Sequence, residues 1–337
     1  MTNEELCQSI SNVINGYRNK EFGEYDAKHV RRWISQFEDF EKQIVLEETN
    51  RILKKNFISY NLFLEFIDTL IQSPDIYVEN KDSYWNRVSL LDIQANGNSQ
   101  KELNTILQDK LNLLYGVPNM IAQQSEEYIY LDDFIFSGNR LTSDMESWIR
   151  NDAPLKARVC VITIGWYVYG QYKTEKRLKA FAKSLGKDIN FVFDSFSKYR
   201  LENRLYRKDY STVFWPTSII KELPEAIAFL QGQNCDFPYR APVGVENPVF
   251  SRSRREEYEK IMLKYGLKIL SFSVQNSSVV KPLGYDIYSG LGFGSTVFSF
   301  RNCPNNNPLA FWWGDPTALP FHPFSKWYPL MQRKTYG

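Results

Sequence analysis

Hydrophobic residues recur at helical spacing near the start of the chain, with charged residues between them. The segment HVRRWISQFEDFEKQIVLEETNRILKK carries this stripe at Val30, Trp33, Ile34, Phe37, Ile44, Leu46, Ile52 and Leu53. A helix with such a stripe buries it against a core and leaves its charges in water. We therefore predict a helical cap over residues 1–80, with Pro74 and the polar segment ENKDS near its end.

The pattern changes from Arg87 onward to short apolar runs that alternate with helical segments. The runs predict strands in RVSLLDIQ, YIYLDD, RVCVITIGW and INFVFD, with helices over residues 100–114, 142–151 and 174–184 between them. Strands that are apolar on both faces and separated by helices form a parallel sheet covered on both sides. Residues 81–196 are therefore predicted to form an α/β core, doubly wound around a mostly parallel sheet.

Residues 197–337 are predicted to form a C-terminal α+β extension. Helices are expected over residues 218–230 and 254–265, and the apolar run LKILSFSV precedes a Gly-, Asn- and Pro-rich stretch. Its glycines, Gly290, Gly292 and Gly294, precede a run that favours a strand, whereas a dinucleotide-binding loop needs a helix there. The alternative is a hood over the ligand edge of the sheet, formed by Lys281, Ser295, Arg301 and Asn302.

Composition narrows the class of protein. With 337 residues, 43% hydrophobic residues and a formal net charge of +2, the chain is long enough for two cores and is expected to be soluble and folded. A near-neutral charge argues against a protein that mainly coats nucleic acid. The basic segments 198–210 and 252–255 are predicted to be solvated helix faces, with a nucleic-acid-binding face as the weaker alternative.

The cysteines and the first residues of the chain predict a cytoplasmic protein. Cys7, Cys160, Cys235 and Cys303 are far apart and form no CxxC or Cys/His pair, so neither a zinc site nor a disulfide scaffold is expected. The first residues lack a basic start followed by an apolar core, and no apolar run approaches the length of a membrane span. We expect no membrane partner.

The strongest candidate for chemistry is YIYLDDFIFSGNR, in which an apolar run ends in Asp132 and Asp133 and then opens into a short loop. Two adjacent carboxylates repel each other unless a divalent cation, ribose hydroxyls or a basic side chain compensates. In a regular strand they face opposite sides, so both can serve one ligand only if the chain leaves extended geometry at Asp133.

The loop after the two acids has the features of an anion site. Ser137, Gly138 and Asn139 supply a hydroxyl and approachable backbone N–H groups just before a helix, whose N-terminus favours phosphate. The alternative is ordinary loop chemistry, in which Ser143 and Glu146 form a capping box and the helix begins too late to hold phosphate. The residues alone leave both interpretations open.

The segment YIYLDDFIFSGNRL resembles the phosphoribosyl pyrophosphate loop of type I phosphoribosyltransferases. The resemblance implies that Asp132 and Asp133 engage the ribose hydroxyls and act in catalysis. It also implies a 5′-phosphate cradle made of Ser137, Gly138, Asn139 and Arg140. Asn139 and Arg140 replace a glycine and a small hydroxyl residue, so a tighter loop or a different anion is expected. Mg²⁺ on Asp132 and Asp133 is expected because hard oxygen ligands and a sugar phosphate select it.

An earlier segment, LLDIQANGNSQKEL, resembles the pyrophosphate-binding loop of the same fold. The residues that match this loop are Asn96, Gly97, Ser99 and Gln100. Because Asn-Gly is also a common type I′ turn, a β-hairpin is the alternative. Between this segment and YIYLDD there is room for one helix but not for the extra strands of a mobile catalytic loop, which argues against ordinary nucleobase transfer.

Motifs along most of the chain are similar to phosphoribosyltransferase-like effectors of bacterial anti-phage systems, including some retron operons. They are HVRRWISQF, LLDIQ, LDDFIFSGNR, KPLGY, GFGSTVFSFRNCPNNNPLAFWW and a closing Trp-Tyr-Pro-Leu. The resemblance implies a toxic or signalling effector that other operon proteins restrain and that processes a phosphoribosyl compound or a nucleotide. The alternative is a catalytically inactive sensor or partner-binding protein. The only histidines, His29 and His322, are far apart, which argues against histidine acid–base chemistry.

Overall fold

The computed structural model describes residues 1–73, 84–95, 99–117, 120–121, 123–204, 206–242, 247–273 and 277–333. It divides into two compact units, which are described separately. The central unit comprises Asn61–Arg200, and the terminal unit comprises Met1–Tyr60 together with Leu201–Gly337. No helix within the described ranges is long and apolar enough to cross a membrane.

Helices and strands are numbered along the chain. The helices are α1 (Asn3–Ile14), α2 (Ala27–Ile34), α3 (Asp39–Asn56), α4 (Tyr60–Gln72), α5 (Ser99–Tyr115), α6 (Asn139–Asn151), α7 (Val168–Ser184), α8 (Pro224–Gln231), α9 (Arg255–Leu270) and α10 (Leu309–Trp312). The strands are β1 (Phe57–Ile58), β2 (Ser89–Leu90), β3 (Glu127–Ile135), β4 (Lys156–Tyr167), β5 (Asp188–Leu201), β6 (Asn203–Arg204), β7 (Arg207–Ser211) and β8 (Phe298–Ser299). Short 3-10 helices span Tyr17–Lys20, Ser218–Glu222 and Pro323–Lys326.

The central unit is built on a sheet with strand order β2-β3-β4-β5. β2 and β4 both pair parallel to β3, and Leu131 of β3 lies in register with Ile162 of β4. One face of the sheet packs against α6 and α7 in a core that includes Met145 and Leu178. On β5, the ring of Phe196 contacts Phe66 of α4. The predicted α/β class, a parallel sheet flanked by helices, is confirmed.

Two helices of this sheet begin earlier than their sequence predicts. α6 begins at Asn139 rather than at residue 142, because Gly138 adopts the left-handed conformation (φ 76°, ψ 0°) that turns the chain directly into the helix. The capping box of Ser143 and Glu146 is therefore wrong. α7 begins at Val168 rather than at residue 174, immediately after β4 ends.

The terminal unit joins the two ends of the chain in one hydrophobic core. The stripe residue Trp33 of α2 stacks on Phe311 of α10, with ring centroids 6.1 Å apart, and its indole N–H donates to the Ala310 carbonyl at 2.9 Å. β1 pairs parallel to β8, so Phe57 lies opposite Phe298. The predicted amphipathic helices are confirmed, and the core that covers them comes from the last part of the chain.

The Gly-rich stretch of the terminal unit serves close backbone packing. Gly292 has φ 118°, and a Cβ there would lie 2.5 Å from the Gly284 carbonyl oxygen. A Cβ on Gly294 would lie 2.4 Å from the carbonyl oxygen of Phe214. Lys281, one of the proposed hood residues, is buried and donates to the Gln233 side chain at 2.7 Å. Packing contacts therefore account for these glycines, and the hood stays a prediction.

The locally basic segments and the run LKILSFSV differ from expectation. Residues 198–210 run through the end of β5 into an antiparallel pair, β6 and β7, so they are not a helix face. The first half of LKILSFSV continues α9 to Leu270, because its apolar residues Ile269 and Leu270 are buried in the terminal core. Sequence periodicity locates a helix here but not its end.

Arg255 of the RSRR segment belongs to a buried ionic network. Its Nε donates to Glu259 at 2.9 Å, and the guanidinium of Arg240 donates to the other oxygen of Glu259 at 2.7 Å. The Arg255 guanidinium also donates to the carbonyls of Ser211 and Val213. Burial lowers the pKa of Arg255 to about 10, against the opposing charge of Glu259. The interpretation of this residue as part of a solvated face is wrong.

Candidate functional site

Asp132 is a buried carboxylate at the centre of the sheet. It is 7% exposed, accepts the backbone N–H of Asp133 at 2.8 Å, and lies 3.4 Å from the Tyr130 hydroxyl. Burial, followed by the charge of Asp133, raises its pKa to about 7, while a Ser99 hydrogen bond and the charge of Arg140 oppose this rise. A carboxylate in this environment can exchange a proton near neutral pH.

The two acids do not share one face of the sheet. β3 continues beyond them, with Phe134 opposite Gly165 and Ile135 opposite Trp166 of β4. The strand thus extends two residues past Asp133. Because side chains alternate along a strand, Asp132 and Asp133 project to opposite faces of the sheet. Asp132 lies on the same face as Tyr130 and is close to Ser99.

The turn after β3 presents the start of α6 next to these acids. The Gly138 carbonyl accepts from the Thr142 N–H at 2.9 Å and from the Thr142 hydroxyl at 2.7 Å. The first N–H groups of a helix have no acceptor within the helix, and together with the helix dipole they favour an anion. The predicted cradle, Ser137, Gly138, Asn139 and Arg140, thus lies directly at a helix N-terminus.

Contacts with α7 hold this turn in place. A Cβ on Gly138 would lie 1.9 Å from the Thr174 hydroxyl, and a Cβ on Gly170 would lie 1.8 Å from the Phe136 carbonyl oxygen. Glycine at both positions lets the two segments approach closely. The turn and the start of α7 therefore form one packed element.

Gly138→Ala is expected to destabilise the protein more than Gly186→Ala does. Both glycines have positive φ, but the added methyl meets Thr174 at position 138 and open space at position 186. The left-handed backbone costs about 1–2 kcal/mol in either variant, and overpacking adds about 1–3 kcal/mol at Gly138 alone. Urea denaturation of both variants measures the difference, and equal losses would show that the contact with Thr174 relaxes without cost.

The start of α5 supplies a second loop beside Asp132. The Gln100 side-chain oxygen accepts the backbone N–H groups of Ile93 at 2.8 Å and Gln94 at 3.0 Å. The Gln94 amide in turn hydrogen-bonds the Ser99 hydroxyl at 3.1 Å, and Ser99 is close enough to Asp132 to lower the pKa of that carboxyl. The structure therefore brings Ser99 and Gln100 to the edge that Asp132 occupies.

The other two predicted residues of this loop, Asn96 and Gly97, lie outside the described residues. Their segment leads from β2 into α5, and β2 pairs parallel to β3. The element that follows them is helix α5 rather than a strand, so the β-hairpin alternative is wrong.

Several buried polar atoms around this edge have no hydrogen-bond partner in the part of the chain that the structure describes. They are the Gln100 Nε2, the Asp144 Oδ2, the Thr163 hydroxyl and the Thr174 hydroxyl. Thr163 is in register with Asp132, and Asp144 accepts the Ala95 N–H through its other oxygen at 3.4 Å. Each unpaired group costs about 1–3 kcal/mol, which a ligand or water can offset.

Sequence reasoning missed Asp144, Thr163 and Thr174. Thr163 carried a usable signal, because it is the one hydroxyl within the apolar strand run RVCVITIGW. Asp144 and Thr174 carried none, since each is a polar residue in an amphipathic helix whose buried side is set by packing.

The negative charges of Asp132 and Asp144 lie near the positive charge of Arg140 and the N-terminus of α6. Burial raises the pKa of Asp144, and the positive charge of Arg140 counteracts this rise, as it does at Asp132. Such a set of groups can hold a polar, phosphorylated ligand, with hydroxyls at the carboxylate and phosphate at the helix amides.

The residues present fit a magnesium ion. Within the described ranges, His, Cys, Asp and Glu form no group of three or more that could cage a metal. Magnesium does not need such a cage, because it binds through one or two carboxylates together with substrate phosphates. Asp132 is the carboxylate placed for this, and a cation there would relieve the repulsion from Asp133 that raises its pKa.

The parallel sheet, the acidic strand and the left-handed glycine turn define a phosphoribosyltransferase-like protein. Over residues 30–333 the chain matches the model of the PRTase-CE family, and it belongs to that family. No curated protein matches the sequence.

Proposed function

We propose that this protein binds a phosphoribosyl compound or nucleotide together with Mg²⁺ and processes it as the effector of an anti-phage defence system. The observation that carries the proposal is the buried Asp132, which lies between the Ser99 loop and the glycine turn that opens α6. A buried carboxylate beside unpaired polar groups is unfavourable without a ligand, and a ribose phosphate satisfies both kinds of group.

The roles follow from the chemistry of each group. Asp132 accepts hydrogen bonds from the ribose hydroxyls, and the amides at the start of α6 receive the 5′-phosphate. Arg140 adds positive charge near that phosphate. Ser99 and Gln100 would contact the pyrophosphate or other leaving group. Asn96 and Gly97 keep the role in the same loop that the resemblance implies.

Magnesium would be held by Asp132 and by phosphate oxygens of the ligand, with the charge of Asp133 nearby. When bound, it neutralises phosphate charge that develops on a departing pyrophosphate. The residues of the chain orient the ribose and the phosphate.

The defence role is supported by the similarity of motifs along most of the chain to anti-phage effectors. It implies partners among the other proteins of a defence operon, which restrain the activity until infection. The rival is a catalytically inactive nucleotide sensor on the same fold, which Asn139 and Arg140 in the cradle favour.

Calorimetric titration with phosphoribosyl pyrophosphate and magnesium tests the proposal. We expect saturable, magnesium-dependent binding, followed by release of pyrophosphate, ribose phosphate or free base when nucleotides are added. Binding without turnover would favour the sensor. Absence of binding to phosphoribosyl pyrophosphate and to nucleotides would refute the proposed function.

The stability of the ligand-free protein is expected to fall as pH rises from about 4 to about 7 because of Asp132. Its pKa is raised to about 7 in the folded protein, so the folded state keeps a proton that the unfolded chain releases at lower pH. The stabilisation that this proton gives the folded state is complete at pH values below the pKa of the unfolded chain. It is lost as the pH rises to the folded pKa, at up to about 1.4 kcal/mol per pH unit. Chemical denaturation across this range measures it.

Asp132→Asn is the control for this pH dependence. Every other titrating group is shared with the wild type, so the difference between the two curves isolates Asp132. Parallel curves would show that Asp132 titrates normally.

A further inference from the structure

The solvent face of α7 carries two tyrosines followed by a row of lysines. Tyr169 and Tyr172 are 52% and 56% exposed. Residues three or four apart share a helix face, so this face continues through Lys173, Lys176, Lys179 and Lys183. The apolar side of α7 is occupied, since Leu178 and Ala182 are buried in the core of the central unit.

This helix has an excess of positive charge. Its charged side chains are those of Lys173, Glu175, Lys176, Arg177, Lys179 and Lys183. Glu175 pairs with Lys179 at 2.6 Å, and Arg177 pairs with Glu146 of α6 at 2.6 Å. Lys176 and Lys183 are exposed on the face of the tyrosines, and their positive charge attracts a polyanion there.

The aromatic end of this face adjoins the candidate site. Gly170, between the two tyrosines, packs on the Phe136 carbonyl at the turn that opens α6. Lys173 lies over the Tyr169 ring at 5.5 Å, and the rings of Tyr167 and Tyr169 are 6.4 Å apart in an edge arrangement. From Tyr169 to Lys183 the face extends for about 21 Å along the helix.

We propose that this face of α7 binds single-stranded nucleic acid, with bases stacked on Tyr169 and Tyr172 and phosphates on Lys173, Lys176 and Lys183. Exposed rings combined with a basic track are the arrangement by which proteins hold single strands without base specificity. A duplex hides its bases from the rings. A membrane surface would require an exposed apolar helix face, and that face of α7 is buried.

The inference goes beyond the proposed function and does not depend on it. Binding along α7 needs neither Asp132 nor magnesium. It also differs from the basic segment 198–210 weighed from the sequence, where Arg207 pairs with Asp209 at 3.5 Å.

Fluorescence anisotropy with the full chain and a labelled oligothymidylate of roughly 16 nucleotides, the upper range of single-strand site sizes, tests the tyrosines. Tyr169→Ala with Tyr172→Ala is expected to weaken binding at least about 30-fold, the lower end of what stacking contributes over two bases. The matched variant Tyr169→Phe with Tyr172→Phe keeps both rings and should bind within about threefold of wild type. A duplex of the same sequence should bind more weakly.

Salt dependence tests the lysines. Removing Lys173, Lys176 and Lys183 together as alanines should reduce the slope of log affinity against log salt by about 2, since each single-strand phosphate contact contributes roughly 0.7. The same change at the exposed Lys28, Lys54 and Lys55 of the terminal unit should leave the slope unchanged. Circular dichroism confirms that each variant is folded.

Other outcomes would overturn the proposal. They are the absence of wild-type binding at low salt, equal affinity for duplex and single strand, or an alanine pair that binds like wild type. Loss of binding only on changing Arg207 and Lys208 would assign it to the other basic segment. Binding to anionic vesicles but not to oligonucleotide would assign the face to a membrane.

Discussion

Asp132→Asn is expected to weaken magnesium-dependent binding of phosphoribosyl pyrophosphate at least about 100-fold, or roughly 2.7 kcal/mol. The amide removes the charge that would hold the cation and replaces one of the two acceptor oxygens with an NH2 donor, at a position that is 7% exposed. Asp133→Asn is expected to have the smaller effect, because its side chain leaves β3 on the opposite face. Titration calorimetry measures both.

Asp152→Asn is the matched control, since it removes an exposed carboxylate at the far end of α6. It should bind like wild type. In cells, replacing Asp132 and Asp133 together with alanine should abolish toxicity while expression and folding persist. Persistent toxicity in that variant, or equal affinity of Asp132→Asn and wild type, would rule out the assigned role.

Glu259→Gln is expected to lower the free energy of unfolding by about 3–5 kcal/mol, the cost of breaking a buried ion pair from one side. Glu259 is fully buried and accepts from Arg240, from Arg255 and from the backbone N–H of Trp215. The substitution leaves two buried guanidinium groups without their counter-charge. Guanidinium denaturation followed by tryptophan fluorescence measures the loss.

Glu222→Gln provides the comparison for an exposed ion pair. Glu222 lies 2.8 Å from Lys260 with its side chain 64% exposed, and such pairs contribute at most about 1 kcal/mol. Equal losses of unfolding free energy in Glu259→Gln and Glu222→Gln would show that the buried ionic network around Glu259 stabilises the protein no more than an exposed ion pair does.

The parallel α/β core could be predicted because its signals are local. β3 and β4 are near-continuous apolar runs, and a strand buried on both faces needs such runs whatever its neighbours are. The acidic pair stood out for a similar reason, since Asp132 and Asp133 interrupt a run that is otherwise apolar. Helix boundaries were harder to predict, because the start of α6 depends on the left-handed conformation of Gly138, and Thr174 of another helix leaves no room for a side chain there.

The sequence by itself determined the amphipathic helices near the start of the chain, the apolar strands of the central sheet, and where the two carboxylates lie along the chain. These properties depend on residues a few positions apart. Tertiary structure alone decided the parallel pairing of β1 with β8, the burial of Arg255 against Glu259, and the effect of Ser99 on the pKa of Asp132. It also decided the raised pKa of Asp132, because desolvation depends on every element packed around a side chain, and no local pattern records that environment.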